Sequence, residues 1–161
     1  MLSKIVSGGQ TGVDRAALDV ARDLGVPCGG WCPADRCAED GVIPERYPVD
    51  PLATGGRHKR TEWNVRDSDG TLILTIGALT GGSLLTRNLA RKHKKPYLIV
   101  DLDSSFGSPE IGLWVASECI ETLNVAGPSE STCPGIEARA YRFLHHLVSW
   151  RIAASSCSRE W

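Results

Sequence analysis

The stretch Ser7-Gly8-Gly9-Gln10-Thr11-Gly12-Val13-Asp14 lies between a short apolar segment, residues 2–7, and a run in which Ala16, Ala17, Val20, Ala21 and Leu24 recur at helical spacing up to Gly25. A strand, a glycine turn and a helix in that order make a β-loop-α unit. Glycine admits positive φ and a close backbone approach, and the first amides of a helix have no carbonyl partner of their own, so such a turn is suited to facing an oxyanion. Residues 70–76 (GTLILTI), the turn Thr80-Gly81-Gly82-Ser83 and the run 83–93 repeat the unit. Residues 97–101 (YLIVD) add a third strand, and Ser108-Pro109-Glu110 opens a helix with a capping Ser, an early Pro and an early acid. Residues 121–125 give another strand. From Pro134 a closing helix carries Ile136, Ala140, Phe143, Leu144, Leu147 and Val148 on one face.

Apolar strands alternating with helices predict a single Rossmann-like α/β domain over residues 1–154, with a mostly parallel sheet covered on both faces, followed by a polar tail over 155–161. Ligands of such sheets sit outside the carboxyl ends of the strands, where both glycine turns and Asn124-Val125-Ala126-Gly127-Pro128 fall. Residues 29–60 interrupt the pattern. They are rich in Gly, Pro and charge, too long for an ordinary connection, and anchored by Trp31, Pro33, Pro44, Tyr47 and Pro48, which predicts an ordered lid.

A chain of 161 residues that is 42% hydrophobic has enough apolar mass for one core. Its formal charge of −1 gives no global reason to bind nucleic acid or a membrane surface, so anion binding must come from local groups. Without a signal-peptide pattern after Met1 or a membrane-length apolar run, a cytoplasmic location is expected. The six cysteines form no paired CxxC elements, so reduced thiols are expected, and Cys28, Cys32 and Cys37 are too irregularly spaced for a convincing metal site. His145 and His146 have no carboxylate or Cys at ligand spacing. The basic run Arg91-Lys92-His93-Lys94-Lys95 reads as a helix end, where cations complement the dipole.

Neither glycine turn has the spacing of the dinucleotide fingerprint or the Gly-Lys-Ser/Thr ending of a P-loop. The backbone of Gly81, Gly82 and Ser83, with the hydroxyls of Thr80 and Ser83, reads as a phosphate cradle. The first loop, Gly8, Gly9, Gln10, Thr11 and Gly12, reads as a second anionic site. Arg15 is either a ligand clamp or part of a salt bridge among Asp14, Arg15 and Asp19. Within Arg57-His58-Lys59-Arg60, Lys59 and Arg60 are candidates to reach an anion from the lid side, against the alternative of a solvated charged loop. Asn64, Arg66, Asp67 and Asp69 crowd the approach to a buried strand, as an internal network or as recognition of a polar ligand edge. Trp31 and Trp63 are either stacking platforms or packing anchors. No Ser-His-Asp or Cys-His order suggests nucleophilic catalysis.

Read in order, SGGQTGVDRAALD (7–19), GGWCP (29–33), AEDG (38–41), TEWNVRDSDGTLIL (61–74), LTGGS (79–83) and NVAGP (124–128) resemble the molybdenum carrier protein family over nearly the whole chain. The resemblance implies a Rossmann-like fold related to the lysine-decarboxylase-like, cytokinin-activating phosphoribohydrolases. It also implies a homo-oligomer, dimer or tetramer, that binds, stores or transfers the molybdenum cofactor (molybdopterin) without turnover, with molybdate as a further candidate ligand and molybdoenzymes or cofactor-synthesis proteins as partners. The phosphate and oxometal ends of that cofactor would take the two loops, and its pterin the Trp31, Trp63 and Asn64 region. Two departures stand out. Residues 80–87 lack the Pro, the second Gly and the acid of the hydrolases' PGGxGTxxE signature, and Ser129 follows NVAGP where the carrier family often has Arg. The alternatives are a nucleotide phosphoribohydrolase using Glu62 or Asp67 as its acid, and a nucleotide-sensing domain.

Overall fold

The computed structural model describes residues 2–105 and 107–157, with side chains up to residue 150. In chain order the elements are β1 (Lys4–Val6), α1 (Val13–Asp23), β2 (Cys28–Gly29), β3 (Trp31–Cys32), β4 (Cys37–Ala38), β5 (Gly41–Val42), β6 (Asp50–Pro51), α2 (Arg57–Arg66), β7 (Gly70–Thr75), α3 (Gly81–Lys92), β8 (Tyr97–Asp101), α4 (Ser108–Ser117), β9 (Thr122–Ala126) and α5 (Ile136–Cys157). Residues 158–161 of the expected tail lie outside the described residues. The main sheet runs β2-β1-β9-β7-β8, and every neighbouring pair is parallel. Numbered from β9 instead of β1, the same strands read 3-2-1-4-5, the first five positions of the doubly wound order 3-2-1-4-5-6.

Alternation along the strands gives the sheet two unlike faces. Ile5, Leu72, Leu74, Leu123 and Val125 point to one side and merge with α1, α4 and α5 into a single apolar core. Small residues on α1, Ala16, Ala17 and Ala21, let α5 lie close with Ala140, Leu144 and Leu147. On the other face α2 and α3 contribute only Val65, Leu89 and Ala90 to an apolar cluster. Beside Ile73 of β7, that side buries a set of polar residues: Asn64, Thr71, Thr75, Thr86 and Asn124 are each at most 4% exposed. An interior of this kind must be satisfied by hydrogen bonds or by a ligand.

Residues 29–56 form an ordered insert, as expected of a lid, built from the parallel pair β3–β6 and the antiparallel pair β4–β5. It packs its own core of Cys32, Ala38, Ile43, Tyr47 and Val49 onto Leu18 of α1. The basic tetrad at residues 57–60 is the first turn of α2 and not part of a loop. That helix buries only Asn64 and Val65, so it carries no apolar stripe to announce it. Gly107, not Ser108, occupies the N-cap of α4, with Pro109 in the first turn. The five cysteines with described side chains are free thiols. Among the described residues, no helix is long and apolar enough to cross a membrane.

Candidate functional site

The loops after β1, β7 and β9 meet at the carboxyl edge of the sheet, as the strand order requires of a doubly wound fold. They bound a cleft of about 390 Å³ whose walls are the start of α3, the start of α2 and residues 127–133. A smaller pocket of about 50 Å³ opens beneath it, bordered by Gly8, Asp14, Asn64, Thr86 and Asn124. Arg60, Thr61, Gly82 and Gly127 border both.

The two glycine turns are spent differently. At α3, Thr80 is extended and makes no side-chain cap, and the intrahelical bonds begin with the amides of Ser83 and Leu84 on the Thr80 carbonyl. The amides of Gly81 and Gly82 precede that first bond and lie at the cleft wall. A Cβ at either glycine would meet nothing within 4 Å, so the approach to these amides is open. The hydroxyl-bearing residues Thr80, Ser83, Ser129 and Thr132, the imidazole of His58 and the cations Arg57 and Arg60 surround the same space.

The first turn is knitted into the fold. The Gln10 amide donates to Asp14 Oδ2, the Thr11 amide to Gln10 Oε1, the Gly12 amide to Glu137 Oε2 at 2.9 Å and the Val13 amide to the Pro128 carbonyl at 3.2 Å. Gly12 has φ 82°, and a Cβ there would stand 2.3 Å from the Pro128 oxygen, so only glycine fits. Glu39, on the turn between β4 and β5, reaches across this loop to the Thr11 hydroxyl and to Ser131. Those bonds, Ser131's first, hold its carboxyl down at about 2.

Of the residues singled out in the sequence, the structure gathers Gly8, Gln10, Arg60, Asn64, Thr80, Gly81, Gly82 and Ser83 around the cleft and its inner pocket. Six lie elsewhere. Gly9 packs on Ile43 and Val49, and Thr11 and Gly12 make the loop contacts just described. Arg15 pairs with neither Asp14 nor Asp19 but forks onto Asp40 at 2.5 and 2.8 Å and donates from Nε to the Gly9 carbonyl. The pairing raises the Arg15 pKa and lowers that of Asp40, through the hydrogen bond first. Lys59 donates to Thr54 and lies 5.5 Å from the Trp63 ring, while Arg66 covers the same ring at 4.3 Å and forks onto Asp67.

The polar cluster at 64–69 is an internal network. Asn64 clamps the backbone of Trp31 with bonds of 2.7 and 2.9 Å, Trp31 Nε1 donates to Asp67, and Asp69 accepts the amides of Glu121 and Thr122. Trp31 and Trp63 meet edge to face at 5.0 Å, packed on each other. Glu62 accepts from Lys92 at 2.7 Å and meets His93 at 2.9 Å, which holds its carboxyl at about 2, Lys92 contributing most.

Asp14 and Asn124 border the inner pocket and were not singled out as binding residues. Asp14 pairs with Arg60 at 2.7 Å, both side chains largely buried. The Arg60 guanidinium occupies the space a Cβ on Gly8 would fill, 1.4 Å from Nη1, so Gly8 is the opening through which the pair forms. Asn124 carried a signal: in TLNVA it is an uncharged amide inside a strand whose neighbours Leu123 and Val125 face the core.

A family model for the circularly permutated YpsA SLOG family matches residues 5–148. The crystal structure of a protein of Syntrophus aciditrophicus SB, named "Putative molybdenum carrier protein", is 46% identical, with a TM-score of 0.86 over 91% of this chain and 94% of that one. The structure of (E)-4-hydroxy-3-methyl-but-2-enyl diphosphate reductase aligns at 8% identity and a TM-score of 0.35, covering 88% of this chain and 59% of that one, and carries no argument. A search of curated proteins gave no match. The strand order, which becomes 3-2-1-4-5 when counted from β9, agrees with the permutation in the family's description, and the chain belongs to the circularly permutated YpsA SLOG family.

Proposed function

We propose that this protein binds the molybdenum cofactor in the cleft at the carboxyl edge of the sheet and stores or delivers it without chemical change. The observation that carries the reading is the open start of α3, where Gly81 and Gly82, whose amides precede the first intrahelical bond, line a space of about 390 Å³ in a chain 46% identical to a protein named as a molybdenum carrier. The volume lies within the range of small-molecule sites. The terminal phosphate of the cofactor takes the amides of Gly81 and Gly82 and the hydroxyls of Thr80 and Ser83, with the helix dipole behind them. Arg57 and Arg60 add the positive charge that the chain as a whole, at −1, does not supply. The first loop acts as a buttress, because its amides from Gln10 to Val13 already have acceptors.

The hydrolase reading has less to draw on. Glu62 is occupied by Lys92 and His93, and Asp67 by Arg66 and Trp31, and neither borders the cleft. The deciding experiment is an anaerobic titration of the purified protein with intact cofactor, repeated with molybdate and with AMP as competitors. Tight, cofactor-selective binding without release of product supports the carrier. Preference for AMP with no cofactor binding overturns it, and release of adenine from AMP moves the hydrolase to first place.

A further inference from the structure

The inner pocket is the part of the site that a phosphate cradle does not explain. Its volume of about 50 Å³ exceeds the roughly 10–15 Å³ that a single water needs. It is bordered by buried polar side chains: Asp14 is 5% exposed and Asn124 3%. Several of their bonding positions are unspent. Arg60 gives Nη1 to Asp14 Oδ2, while its buried Nε has no hydrogen-bond partner. Asp14 Oδ2 accepts from Arg60 and from the Gln10 amide, whereas Oδ1 accepts no side-chain or loop donor among the described residues. Asn124 uses its amide nitrogen on Thr71 at 3.3 Å, and its carbonyl oxygen accepts no side-chain or loop donor among the described residues. Taking a carboxylate and a guanidinium out of water is costly unless their remaining bonds are made, so such a set calls for a complement.

We propose that the inner pocket reads the edge of a flat heterocycle that presents two adjacent N–H donors beside a carbonyl, the 2-amino-4-oxo-pyrimidine edge shared by pterins and guanine. The inference rests on the proposed function, in that the outer cleft holds the anionic end of the same ligand. Asp14 accepts from the exocyclic amine and the ring N–H, and Arg60 Nε donates to the carbonyl. Asn124 takes the second hydrogen of the amine. Only the edge enters, which is all that the volume admits, and the rest of the ring lies in the cleft above. A 6-aminopurine edge sets a ring-nitrogen lone pair against the Asp14 carboxylate, so adenine is rejected. A lone oxyanion meets the same carboxylate as a like charge and is better accommodated at α3.

The test compares GMP, AMP and free pterin by equilibrium titration of the whole chain, with pterin followed by its own fluorescence. GMP is expected to bind tighter than AMP by about tenfold or more, since the wrong edge leaves buried polar groups unpaired. Asp14→Asn brings the ratio close to one. Because that variant strands Arg60, Asn124→Ser serves as the second arm: it leaves the ion pair whole and lowers affinity for pterin and GMP more than for AMP. Equal binding of GMP and AMP by the wild type, or a ratio untouched in both folded variants, overturns the proposal. So does failure to bind either pterin or GMP. A wild type that retains the molybdenum cofactor yet does not distinguish GMP from AMP sinks the edge reading alone, and a GMP preference without cofactor binding sinks the carrier reading alone.

Discussion

Gly82 and Gly12 are glycines of two turns that look alike in sequence, and their substitution separates a binding position from a folding one. A side chain at Gly82 meets nothing within 4 Å, so Gly82→Asp is expected to leave the thermal midpoint within about 2 °C of wild type. It places a carboxylate in the proposed anion cradle and is expected to abolish binding of phosphate esters, measured by calorimetric titration. Retained affinity would remove α3 from the site. Gly12→Ala forces a Cβ against the Pro128 oxygen at φ 82°, and is expected to cost about 1–3 kcal/mol in urea unfolding. Both turns were legible as glycine turns between a strand and a helix. Which one has its amides already bonded was not, because two of the acceptors that consume the first turn's donors, Pro128 and Glu137, lie more than a hundred residues away in sequence. Arg15 is the same lesson in a side chain: its nearest acids in sequence, Asp14 and Asp19, lose to Asp40, which the insert brings over α1.

Among the elements, two carboxylates act as ties, and both respond to acid in the same direction. Glu39 joins the β4–β5 turn to the loops after β1 and β9, and Glu62 joins α2 to the end of α3. Each titrates at about 2 when folded, against an ordinary value of 4.5. A carboxyl whose folded value is depressed contributes its stability in full above the unfolded value and loses it as pH falls toward the folded one. Acid unfolding between about pH 4.5 and 2 is therefore expected to be shallower for Glu39→Gln than for wild type, followed by circular dichroism at a series of pH values. An unchanged slope would mean that the tie contributes nothing, as exposed bonds sometimes do. The regular elements were legible from period and punctuation. The second helix was not, because its buried side is one Asn and one Val, and its basic first turn has the composition of a loop.

The whole molecule is a permuted doubly wound sheet in which the last strand of the chain, β9, sits between the two strand pairs made earlier. Sequence alternation gave the α/β class, but strand order is set by which pairs meet across the sheet, and no local pattern records that. α5 returns antiparallel to β9 and so travels toward the edge where β1 begins. A chain that starts at Glu121 and joins residue 157 to residue 2 through a Gly/Ser linker of about a dozen residues is expected to fold to the same sheet and keep the cleft. Its circular dichroism and its ligand affinity should match those of the parent, and an aggregated or ligand-blind product would show that the order of synthesis matters to the native state. The same insertion has a bearing on life at the ribosome. Lys4 waits for Thr122, its partner in the sheet, until more than a hundred further residues have been translated, and β1 and β7 remain unjoined at their inner edges until then. The third wall of the cleft arrives with that strand. A chain cut before Thr122 lacks that wall, and is expected to show no affinity for the ligand of the proposed cleft.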